Sequence, residues 1–151
     1  MKKEEKITIT DEKMTRFFMS IPQSVDLIFQ AAQFANNGET FILKMPSVKI
    51  IDLAKIFLKY HNKPENYFKK IGIRKGEKLN EELLLENDED IILENDKLFV
   101  KLPTFINEEE IQIMKNKGFK KTKIKTFISN DDKFQLKETE IENILFEEFK
   151  E

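Results

Sequence analysis

The chain is 151 residues long, about one domain by size, and 40% of it is hydrophobic with 14 Phe, enough to bury a core. Its 26 basic and 28 acidic residues leave a net charge of −2, which gives no electrostatic bias toward nucleic acid or an anionic membrane. With no cysteine and one histidine, disulfides, thiolate metal sites and His-rich metal sites are excluded.

In chain order, Lys6–Thr10 alternates with Ile7 and Ile9 apolar and predicts a short strand. Met14–Met19 predicts a second extended piece with Arg16 among bulky apolar residues. Ser20 and Gln23 stand at the spacing of a capping box, with Pro22 in the first turn, so a helix is expected from Ile21 to Ala35, stopped by Asn36, Asn37 and Gly38. Its apolar residues span an arc of roughly 220°, so it is expected to be covered on most sides. Glu39–Met45 is the best strand, between Gly38 and Pro46.

Ser47 is expected to cap a helix over Val48–Tyr60, ended by His61, Asn62, Lys63 and Pro64. A strand over Tyr67–Ile73 then leads into a charged turn at Gly76 and a helix over Lys78–Leu85. Asn87–Asp90 is an acidic turn without the spacing of a calcium loop. Ile91–Leu93 and Leu98–Leu102 read as a hairpin around Asn95 and Asp96. Asn107–Lys115 reads as a helix capped by Asn107 with Glu110, Lys123–Ile128 as a weak strand, and Glu138–Phe149 as a final amphipathic helix.

Arginine usage singles out two positions. Of the 26 basic residues only Arg16 and Arg74 are arginine. A planar, permanently charged, bidentate fork is the chemical reason to use arginine in place of lysine, and phosphate is a common target of it. Read from the residues alone, Arg74 and Glu77 also fit a solvated surface pair, and Arg16 a structural ion-pair partner. Asp26 and Asp52 read as solvent-facing helix carboxylates, and His61 as a cap-region residue.

Three segments in order bear a resemblance to a known family: Met14–Leu27 (MTRFFMSIPQSVDL), Gly38–Ala54 (GETFILKMPSVKIIDLA) and Gly72–Leu83 (GIRKGEKLNEEL). Together they resemble the C-terminal part of extended short-chain dehydrogenase/reductases. The CapD-like polysaccharide-biosynthesis group, the UDP-N-acetylglucosamine 4,6-dehydratases, is the most similar. Lys75, where the family has proline, and Asn80, where it has histidine or tyrosine, depart from the pattern.

The resemblance implies an α/β chain forming the substrate-binding portion of such an enzyme, without its N-terminal Rossmann half. It divides the chain into a substrate-binding region at 1–103 and a helical tail at 104–151. It implies that Arg16 and Arg74 grip the diphosphate of a UDP-sugar and that Glu77 meets the uridine ribose. The intact family uses NADP or NAD. Here the four glycines are not spaced as a dinucleotide loop, and neither Tyr60 nor Tyr67 begins a Tyr-x-x-x-Lys pair. The expectation is therefore a chain that binds no cofactor or metal by itself, has no catalytic residue, and is not catalytic alone.

It would be a cytoplasmic subunit of a split 4,6-dehydratase or epimerase, partnered by a separate Rossmann-domain subunit or a homo-oligomer, or the product of a truncated reading frame. The competing readings are a stand-alone nucleotide-sugar-binding or regulatory module and an inert remnant.

Overall fold

In the computed structural model, which describes residues 6–36, 38–85 and 90–148, the backbone forms a mixed α/β arrangement of ten strands and four helices. In chain order these are β1 (Ile7–Ile9), β2 (Thr15–Phe17), α1 (Ile21–Phe34), β3 (Thr40–Leu43), β4 (Ser47–Lys49), α2 (Ile50–Tyr60) and β5 (Phe68–Lys70). There follow β6 (Glu82–Leu85), β7 (Ile91–Glu94), β8 (Leu98–Leu102), α3 (Glu108–Asn116), β9 (Lys120–Lys121), β10 (Thr126–Ile128) and α4 (Glu138–Glu148). They fall into two compact units that cut across residue 103. One gathers the chain through Phe18, Pro46–Glu81 and Ile128 onward; the other gathers Met19–Met45 and Glu82–Phe127.

The first unit holds two small sheets. β1 runs parallel to β5, with Ile7 opposite Phe68, and β2 runs antiparallel to β4, with Arg16 opposite Val48. Helix α2 buries Ala54 and Leu58 on one side and Ile56 on another, while Phe57 is 39% exposed. Val48, Ile56 and Ile141 form the core, with Phe18, Leu53, Leu136 and Leu145 packed against it. The chain after β10 closes this unit: the Ser47 N–H donates to Phe134 O at 2.7 Å, and the Leu136 N–H donates to Ser47 O at 2.8 Å.

The second unit is built on a four-stranded antiparallel sheet in the order β3-β8-β7-β9. The hairpin between β7 and β8 turns as expected, with Asn95 Oδ1 accepting from the Lys97 and Leu98 amides at 2.9 and 2.8 Å. Leu98, Phe99 and Val100 are all fully buried, so both faces of β8 are covered. On one side lie Leu93, Met114 and Phe119, with Leu27 and Phe34 of α1 against them. Phe99 meets Phe127, ring centroids 5.3 Å apart. Beside this sheet β6 and β10 form a two-stranded ribbon.

Both expected capping boxes are present, Ser20 with Gln23 and Asn107 with Glu110. Four expectations need correction. Ser47 caps no helix: it is fully buried in β4, and Lys49 stands at the N-cap of α2 without a side-chain bond. The extended stretch near Tyr67–Ile73 is regular strand only over Phe68–Lys70, because Gly72 turns the chain at φ +84°.

Lys78–Leu85 forms no helix. Residues 82–85 are a strand in which Leu84 is 3% exposed while Leu83 and Leu85 are 39% and 49% exposed, a two-residue alternation. Finally, α1 is not covered on most sides, since Ile21, Ile28 and Phe29 are 77%, 66% and 71% exposed. The acidic turn Asn87–Asp90 falls mostly, and Phe149 wholly, outside the described residues.

Candidate functional site

Arg16 sits in the middle of β2, between buried Thr15 and half-buried Phe17. Its side chain crosses to the segment that follows β5. Nη1 donates to Thr15 O at 2.7 Å and Leu79 O at 3.2 Å, and Nη2 donates to Lys78 O at 2.9 Å. Two carboxylates face the same guanidinium: Glu77 Oε1 is 3.8 Å from Nη2 and Glu81 Oε1 is 3.6 Å from Nε. A fork with five N–H donors can serve three carbonyls and two carboxylates together; a lysine ammonium cannot.

The segment it binds is a tight charged turn. Gly72 and Gly76 adopt φ +84° and +85°, in the left-handed region that favours glycine. Across the second of them the Glu77 N–H donates to Arg74 O at 3.0 Å, and the Arg74 N–H donates to Glu77 Oε2 at 3.1 Å. Thr10 Oγ1 donates to Glu77 Oε1 at 3.5 Å. The Glu77 carboxylate thus ties the Arg74 backbone to the Arg16 guanidinium. Arg74, Lys75 and Gly76 are exposed, and the Arg74 guanidinium has no partner among the described residues.

Two groups that sequence reasoning passed over complete the cluster. Glu81 Oε2 accepts from the Phe17 N–H at 3.0 Å. Ser129, fully buried, accepts from the Glu81 N–H at 2.8 Å and lies 2.6 Å from Thr15 Oγ1, which donates to Asn80 Oδ1 at 3.0 Å. Glu81 stands four residues after Glu77, a spacing that reads as one face of a helix; the real chain is non-helical there, bending at 79–80 ahead of β6, and brings both carboxylates to Arg16 another way. Nothing local marks Ser129.

The arrangement is a partly buried guanidinium framed by fixed carboxylates, bound to the turn whose backbone carries the exposed Arg74. Among the described residues no group of three His, Cys, Asp or Glu side chains stands where it could hold a metal ion. A Cβ built at Gly72, Gly76 or Gly118 would meet nothing within 4 Å.

A family model described as polysaccharide biosynthesis protein matches residues 1–103. A protein of Methanocaldococcus jannaschii, named an uncharacterized membrane protein, is 41% identical over 153 residues, 97% of this chain and 42% of that protein. The inverting UDP-N-acetylglucosamine 4,6-dehydratase of Campylobacter jejuni is 32% identical over 123 residues, 80% of this chain and 35% of that enzyme. The X-ray structure of Pen from Bacillus thuringiensis matches with a TM-score of 0.79 at 28% identity, covering 98% of this chain and 42% of that one. The chain spans less than half the length of each of these three. Among the described residues no helix is long and apolar enough to cross a membrane.

Proposed function

This chain belongs to the polysaccharide biosynthesis protein family, and on that premise we propose that it is the UDP-sugar-binding portion of a nucleotide-sugar 4,6-dehydratase or epimerase. The observation that carries the reading is the Glu77 carboxylate, which accepts from the Arg74 amide at 3.1 Å while facing Arg16 at 3.8 Å. Two guanidinium-bearing segments are thereby locked at one place. Arg74, open to solvent, meets the diphosphate directly. Arg16, 23% exposed and with its donors spent on the protein, keeps the loop taut and adds its positive charge to the field at the same anion. On this reading Glu77 also accepts from a ribose hydroxyl. Each charge-assisted contact contributes roughly 1.5–3 kcal/mol.

On this reading the chain does not catalyse by itself: hydride transfer on NAD or NADP requires a dinucleotide-binding half, and the four glycines are not spaced as its loop. The reading supplies that half as a separate subunit or domain, and the open apolar side of α1 (Ile21, Ile28 and Phe29) supports such a covering partner. The cytoplasm belongs to the same proposal.

Calorimetric titration of UDP-N-acetylglucosamine into the chain tests this, alone and with a Rossmann-domain protein of the same family. Binding that appears or tightens with the partner supports the split enzyme. Full-strength binding by the chain alone supports a stand-alone module. A folded chain that binds under neither condition overturns both.

A further inference from the structure

We propose that Ser129 is a positioning residue for the Arg16 guanidinium, acting through Glu81, so that chain beyond the matched residues 1–103 completes the anion site. The inference rests on the UDP-sugar reading above for its functional consequence, though not for its geometry.

Ser129 grips Glu81 twice: its N–H donates to Glu81 O at 2.8 Å, and its Oγ accepts from the Glu81 N–H at 2.8 Å. Its own proton has one good destination. Thr15 Oγ1 spends its proton on Asn80 Oδ1 at 3.0 Å, leaving its lone pairs to accept from Ser129 Oγ at 2.6 Å; Thr15 O, at 3.3 Å, is the weaker alternative. The hydrogen bonds therefore run in one direction, from the Glu81 amide through Ser129 and Thr15 to Asn80. Ser129 and Thr15 are 0% and 2% exposed, so water does not replace any member.

Two members of this chain of bonds, Thr15 and Glu81, adjoin Arg16. Thr15 precedes it on β2, and Glu81, with its backbone fixed by Ser129, spans from the Phe17 amide at 3.0 Å to Arg16 Nε at 3.6 Å. The plane of the guanidinium is thus set by three carbonyls on one side and by the Glu81 carboxylate on the other. Without the hydroxyl, the Glu81 amide and the Thr15 oxygen lose their shared partner, Glu81 swings, and the Nε side of the fork is released. A guanidinium released on its Nε side keeps its charge but no longer presents it to the anion at a fixed position.

The test uses the full chain and UDP. Ser129→Ala should weaken UDP binding about tenfold, the scale of one lost charge-assisted contact. In an Arg16→Ala background the same change should cost less than about twofold, since nothing remains to be positioned. An equal loss in both backgrounds overturns the proposal.

A second measurement needs no ligand. With only two arginines, the Nε–H resonances of Arg16 and Arg74 are assignable from single substitutions. Ser129→Ala should move and broaden the Arg16 signal and leave Arg74 unchanged, and Ser129→Thr should restore it. An Arg16 signal that stays in place in folded Ser129→Ala overturns the proposal. If wild-type chain fails to bind UDP yet the Arg16 signal moves, the positioning stands and the nucleotide reading falls. Should Ser129→Ala not fold, Ser129→Cys, similar in volume and weak as a donor, takes its place in both measurements.

Discussion

The Glu77 carboxylate faces the Arg16 guanidinium at 3.8 Å with one oxygen and holds the Arg74 amide at 3.1 Å with the other. One residue therefore connects two arginines that are far apart in sequence, and it does so asymmetrically: Arg16 by its side chain, Arg74 by its backbone.

That asymmetry predicts a split between stability and binding. Arg16→Lys gives up the fork that bonds three carbonyls and should lower unfolding free energy by about 1–3 kcal/mol in urea titrations. Arg74→Lys should stay within about 0.5 kcal/mol of wild type, because its side chain is exposed. It should nonetheless weaken UDP-sugar binding about tenfold. The reverse pattern would sink the assignment of the two roles.

Gly76 holds φ +85° with nothing within 4 Å of where a Cβ would stand, so its cost of substitution is conformational and not steric. Gly76→Ala should destabilise by about 1–2 kcal/mol, and Gly76→Asn by less, since Asn tolerates the left-handed region. Urea midpoints of the two variants read this directly; equal values would argue against it.

Phe99 is fully buried, with Phe127 5.3 Å away and Lys44 Nζ 4.6 Å from its ring centroid. Phe99→Ala should cost about 3–5 kcal/mol, and the loss should be visible as earlier amide exchange along β8. A loss below 1 kcal/mol would mean that the sheet collapses around the cavity.

Asp11 accepts from the Lys13 amide at 2.9 Å and pairs with Lys70 Nζ at 3.0 Å, and these hold its carboxyl below the usual range. The folded state thus releases the proton more readily than the unfolded one. The stabilisation is present above the ordinary aspartate pKa and disappears as pH falls through the lower folded value. Asp11→Asn should therefore differ from wild type at neutral pH and converge with it in acid. In a carboxyl-carbon NMR titration, Lys70→Met should raise the Asp11 midpoint only part of the way, because the larger cause, the Lys13 amide, remains. A full return to the ordinary value would show that Lys70 is the dominant cause.

Elements whose signals are local were legible in the sequence. Ser20 with Gln23 and Asn107 with Glu110 fix helix starts through bonds three residues apart, and both are found. Residues 78–85 misled because Lys, Glu and Leu are good helix formers, while the chain there answers to distant partners: the Thr15 amide donates to Leu79 O, and Ser129 bonds Glu81 on both sides. Ser47 misled for a similar reason. Its backbone is claimed by Phe134 and Leu136, nearly ninety positions away in sequence. Arg16 and Arg74 stood out by rarity alone. Glu81 and Ser129 could not, since an acid in an acid-rich run and a serine in a polar loop are ordinary.

Ser47 also limits how this protein can be shortened. Its N–H and C=O both bond the chain near residue 135, so a recombinant boundary drawn after Pro103 would strip β4 of its neighbour on that side. A closed seam would become a bare strand edge, the kind of surface that recruits another chain. Material ended there should pellet or self-associate on concentration, and the 151-residue chain should do so less.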